Sequence, residues 1–157
     1  MFPFRTYNSA RALREIHMTR DSIFGPFLVM MILTMVVWVY MYAKRIPFIR
    51  SLNRKLDDIS YAEFTELAPP SVRNPSDNLR NLFEVPVLFY ALVFYLYVTG
   101  NADGPYVAAA WGFVLFRALH SLVHCTINIV LLRFTLYVAS CAFLFFMLLR
   151  AVFSYPS

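Results

Sequence analysis

The 22 residues from Ser22 to Ala43 carry no charge. A helix rises about 1.5 Å per residue and needs about 20 residues to cross roughly 30 Å of hydrocarbon, so this run is long enough to span a bilayer. A second uncharged run covers Val85–Ala102, 18 residues, and the 50 residues from Gly104 to Phe153 hold only Arg117, Arg133 and Arg150 as full charges. Fifty such residues predict two spans and a tight turn. The expected fold is therefore an all-α, integral membrane four-helix bundle. The runs lack the turn-bounded alternating blocks of about ten residues that mark a transmembrane barrel. Composition agrees: 60% of the chain is apolar and 15% charged, against about 45–50% and about 25% in a soluble domain. Soluble globular, disordered and coiled-coil classes are excluded on the same grounds.

The pattern predicts a basic N-terminal tail over residues 1–21 and one transmembrane domain over 22–157. Its helices are expected at about 24–42, 79–99, 105–126 and 130–153, with a loop over 44–77. That loop is basic at its start (Lys44, Arg45, Arg50, Arg54, Lys55) and acidic in its middle (Asp57, Asp58, Glu63, Glu66). Pro69, Pro70 and Pro75 are expected to break any helix ahead of Asp77. Arg5, Arg11, Arg14 and Arg20 interrupt any apolar stretch of the kind a signal peptide needs, so none is expected. The excess of Lys and Arg beside the first span places the 44–77 loop in the cytoplasm. The net charge of +5 suits that topology and anionic lipid, and gives no sign of nucleic acid. Cys125 and Cys141 fall within spans and are expected to behave as small apolar residues.

Ionisable groups inside a bilayer cost a few kcal/mol even on the mildest insertion scale, and so point to function. Here they form stripes. Asp77, Asn81 and Glu84 are spaced four and three apart, with Arg80 one turn before Glu84. Arg117, His120, His124 and Asn128 follow at three, four and four, with Ser121 alongside and Arg133 opening the last helix. In an up-down bundle, all of these fall at one end. The expectation is a cationic, hydrogen-bonding pocket with Glu84 as its buried carboxylate, suited to an anionic ligand that also carries an amine; the other reading of Glu84 is a purely structural ion pair with Arg80 or Arg117. Arg150, at the other end, is expected to be a snorkelling anchor. His120 and His124 with Glu84 could instead supply three ligands to a metal or haem, but Arg117 and Arg133 would repel a cation; no metal is expected.

Asn81-Leu82-Phe83-Glu84 followed by Pro86, then Arg117-Ala-Leu-His120 with His124, and Arg133 sixteen residues after Arg117, resemble the MAPEG superfamily. These are membrane-associated proteins of eicosanoid and glutathione metabolism. The string from Asn81 to Leu92 is most similar to the superfamily's bacterial branch, and the resemblance covers about Ile23–Phe153. It implies a homotrimer in the bacterial inner membrane, with one glutathione as co-substrate between adjacent subunits. By position, Arg80, Asn81, Glu84, Arg117, His120 and His124 would line the tripeptide and Arg133 would face its sulfur. The chain departs from the pattern at Asp77, where many of these enzymes carry arginine, and at His124, where tyrosine is usual. The spacing from Glu84 to Pro86 is also shorter than usual by one or two residues.

The resemblance implies a glutathione-dependent transferase or peroxidase acting on a lipophilic electrophile, with an arginine stabilising the thiolate. The alternative is a non-catalytic member: a scaffold that binds lipid or protein, or an accessory subunit docked through its termini into a larger membrane complex.

Overall fold

The computed structural model describes residues 21–55 and 58–155. Residues 1–20 of the basic tail and the last two residues lie outside these, and with them the docking role expected of the termini. The described residues form α1 (Phe24–Ser51), α2 (Tyr61–Leu67), α3 (Pro70–Leu82), α4 (Val85–Val98), α5 (Gly104–Cys125) and α6 (Val130–Phe153). Four stretches are long and apolar enough to cross a membrane: α1, α3 with α4, α5, and α6. The protein is an all-α membrane bundle.

Three differences from the sequence expectation lie between the first and second spans. α1 does not stop at the membrane edge but continues through Lys44, Arg45 and Pro47 to Ser51. Lysine and arginine are good helix formers. Within the 44–77 loop, Ser60 accepts from the Glu63 N–H at 3.2 Å and starts α2, as a Ser-x-x-Glu capping sequence should. An Arg54–Glu63 ion pair at 2.8 Å and the Arg45 guanidinium 4.8 Å above the Phe64 ring hold α2 against the end of α1. Pro69 and Pro70 start a helix rather than prevent one: Pro69 is the N-cap of α3 and Pro70 its first residue. At that position the missing N–H would have had no helical partner. Pro75 lies inside α3 with its ring buried.

The second span is discontinuous. Phe83 (φ −100°, ψ 7°) ends α3, and Glu84 (φ −98°, ψ −96°) leaves helical geometry before α4 restarts at Val85. Pro86 is the cause: it has no N–H for the Leu82 carbonyl, and its ring crowds that oxygen.

The core is built from Met30 of α1, Phe89 and Val93 of α4, Ala110 and Phe113 of α5 and Met147 of α6, all buried. Phe89 and Phe113 stack with centroids 4.5 Å apart. α5 and α6 form the most extensive helix pair. They approach closely at Gly112, where an added Cβ would lie 2.6 Å from the Phe143 ring. At the far end, Asp103 accepts from the Tyr106 N–H at 3.3 Å, which caps α5. The same carboxylate takes both Nη atoms of Arg150 at 2.6 Å. Arg150 also lies 4.3 Å over the Tyr106 ring. It is thus also an internal tie, because Asp103 at the turn before α5 is within its reach.

Gly112→Ala should destabilise the bundle by about 1–3 kcal/mol through overpacking, and Phe143→Ala in the same chain should recover part of that loss in thermal unfolding. Arg150 beside Asp103 holds its carboxyl below the usual carboxylate range. The pair therefore stabilises the fold above the ordinary Asp pKa of about 3.9 and loses this effect as the pH falls through the lower folded value. Asp103→Asn should cost up to about 1 kcal/mol at neutral pH, since the pair is half-exposed, and the gap from the parent should close below about pH 4.

Candidate functional site

The beginnings of α3 and α6 and the end of α5 meet at one end of the bundle, joined by polar side chains. Asn128 donates to Asn74 Oδ1 at 3.2 Å and accepts from Arg133 Nη1 at 2.7 Å. Ser121 Oγ donates to Asn78 Oδ1 at 3.3 Å, and Asn78 Nδ2 donates to Cys125 Sγ at 3.4 Å. His120 Nδ1 lies 3.0 Å from the Arg133 carbonyl, which can accept only from a protonated Nδ1. Asn128 stands in the turn between α5 and α6, at φ 46°. Asparagine tolerates that left-handed conformation better than most residues. The expected stripe on α5 therefore converges as predicted at Arg117, His120, Ser121 and His124, but its last member, Asn128, is held by the turn and not by the helix.

α3 presents a different face from the one expected. Asn74 and Asn78, one turn apart, are buried against α5 and its turn. Asp77, Arg80 and Glu84 are exposed on this chain, and Asn81 is half-buried. Glu84 is therefore not the buried carboxylate of the pocket. It sits at the helix break, and among the described residues it forms no ion pair with Arg80 or Arg117. Arg80 instead donates to the Tyr61 hydroxyl at 3.2 Å. The Pro-rich segment concealed this outcome: with a helix starting at Pro70, the Asn74–Asn78 spacing of four would have marked the inward face.

Arg117 is fully buried. Its Nη2 donates to Cys141 Sγ at 3.8 Å, and its guanidinium lies 4.6 Å from the Tyr137 ring centroid and 5.4 Å from that of Phe113. Among the described residues no aspartate or glutamate is buried. Arg117 Nε and Nη1, His120 Nε2 and His124 Nδ1 are buried without hydrogen-bond partners there. Each such orphaned group costs about 1–3 kcal/mol, and a charged one more. His120 and His124 pack edge to face with centroids 5.5 Å apart. No three His, Cys, Asp or Glu side chains converge among the described residues, so Glu84 does not join the two histidines as a ligand set.

Beside Arg117, a cleft of about 730 Å³ runs between α4 and α6, lined by Leu88, Ala91, Tyr95, Tyr137, Cys141 and Phe145 among others. Cys141 and Tyr137 thus face the cleft on one side and Arg117 on the other.

A membrane-spanning helical bundle with a buried cationic cluster at one end is the class that fold and site define. The sequence model of the MAPEG family matches residues 23–153, and the chain belongs to that family. No curated protein and no solved structure matches it.

Asn78→Ala should destabilise the fold by about 1–3 kcal/mol, because it strands the groups bonded to the amide in a buried site. Ser121→Ala, which removes one of those bonds, should cost less in the same denaturation series.

Proposed function

We propose that the protein is a glutathione-dependent membrane transferase or peroxidase that acts on a lipophilic electrophile. The observation that carries this reading is Arg117, a fully buried guanidinium whose Nε and Nη1 have no partner and beside which no carboxylate is buried among the described residues. A buried charge without a counter-ion is strongly unfavourable, and a carboxylate supplied by a ligand relieves it. Family membership makes glutathione the natural donor of such a carboxylate. The orphaned ring nitrogens of His120 and His124 add hydrogen-bonding capacity on the same helix face.

The outward direction of Arg80 and Glu84 supports a site completed between subunits of a homotrimer. On a single chain these side chains are exposed while Arg117 is buried, so a neighbouring subunit is what would enclose them. Arg80 and Asn81 would then hold a glutathione carboxylate and Glu84 its amine. Asn128 positions the Arg133 guanidinium through the 2.7 Å bond. A positive charge fixed beside a thiol in a poorly solvated site favours the thiolate. In conjugation the thiolate forms a carbon–sulfur bond as the electrophile's leaving group departs or, at a conjugated double bond, as its electrons shift and take up a proton. With a hydroperoxide it takes the distal oxygen as the O–O bond breaks and an alcohol leaves, and a second glutathione converts the resulting sulfenic acid to the disulfide and water. The basic residues from Lys44 to Lys55 support a cytoplasmic position for this end of the bundle in a bacterial inner membrane.

Calorimetry of the purified protein with glutathione should give saturable binding. Arg117→Ala should weaken it about 10–100-fold, the worth of one charged hydrogen-bond set. Arg133→Ala should retain binding and lose the thiolate absorbance of the bound peptide. Absence of binding at millimolar glutathione in a folded trimer would overturn the reading in favour of a non-catalytic scaffold or accessory subunit.

A further inference from the structure

The geometry points to Cys141 as a protein nucleophile that captures a lipophilic α,β-unsaturated carbonyl entering from the bilayer through the α4–α6 cleft. Three observations converge on its sulfur. It lines a cleft whose other walls are almost wholly apolar side chains, among them Leu88, Ala91 and Phe145, with room for a medium-length alkyl chain at about 730 Å³. It is half-buried and not in a disulfide. It also accepts from Nη2 of the fully buried Arg117 at 3.8 Å, while two further nitrogens of that guanidinium have no partner among the described residues. A guanidinium beside a sulfur holds the negative charge that the sulfur carries during attack. Cys125 differs on each count: it is bonded to the neutral Asn78 amide and lies outside the cleft.

The reaction is an addition. The sulfur bonds to the β-carbon, the carbon–carbon double-bond electrons move to the carbonyl oxygen as an enolate, and a proton returns to the α-carbon in place of the one lost by the thiol. No oxidant or reductant is required. The inference is independent of the glutathione reading, because the peptide takes no part in this step.

The test is peptide mass mapping of the full-length protein in detergent, without glutathione, after exposure to 2-nonenal or to the three-carbon enal acrolein. Cys141 should carry the nonenal adduct and Cys125 should remain free, with the adduct lost in Cys141→Ser. Ala91→Phe, which fills the cleft, should slow nonenal labelling at least about tenfold and leave acrolein labelling of Cys141 intact. Arg117→Met should slow both reagents. Labelling of Cys125 as fast as Cys141, no adduct on Cys141, or nonenal labelling unaffected by Ala91→Phe would overturn the proposal. Because glutathione is absent, failure here leaves the peptide site standing, and failure of glutathione binding leaves Cys141 standing.

Discussion

Hydrocarbon offers no water to a polar group, and this governs how the chain distributes its side chains. The bonds from Asn74 and Asn78 on α3 to Ser121, Cys125 and Asn128 on and beyond α5 join the second and third spans at one end. Arg133 enters through Asn128 and through its carbonyl facing His120. The apolar core below this level could be packed in several registers, since one aliphatic side chain replaces another at modest cost. Matched amides and hydroxyls cannot slide so easily. They set which residues of α3 face α5, and hence that Asp77 and Arg80 are left exposed.

The helix break at Phe83–Glu84 separates two tasks. α3 above it carries amides and charges; α4 below it is almost entirely apolar and forms one wall of the cleft. A continuous helix would carry the rotational phase of α3 directly into α4. Pro86 uncouples the two, so each half can present the face that its surroundings require.

The membrane class, the helical architecture and the inward stripe on α5 were legible in the sequence because each rests on a long, simple pattern. The four apolar stretches need only length, and Arg117, His120 and His124 recur at helical spacing on a helix with no break. The second span was less legible. Three prolines within seven residues are ambiguous from composition alone: at a helix start they stabilise, in the interior they disrupt, and the difference lies in which residue is the N-cap. Shifting that start to Pro70 turns Asn74 and Asn78 inward and sends the expected Asp77–Asn81–Glu84 face elsewhere. The partner of Arg150 was not legible for another reason, since Asp103 is 47 residues away and no local spacing links them. Cys141 showed no signal at all until Arg117 was seen beside it.

The short link between α5 and α6 also bears on how the molecule assembles. Only Thr126 to Ile129 separate the two helices, and their seam is the widest in the bundle. Closing a loop this short sacrifices little chain entropy compared with bringing α1 to α3 across the long polar segment between them. Contacts between neighbours in sequence form faster than distant ones. The C-terminal hairpin is therefore a pairing of low entropic cost, and it carries the half of the cationic cluster that lies on α5.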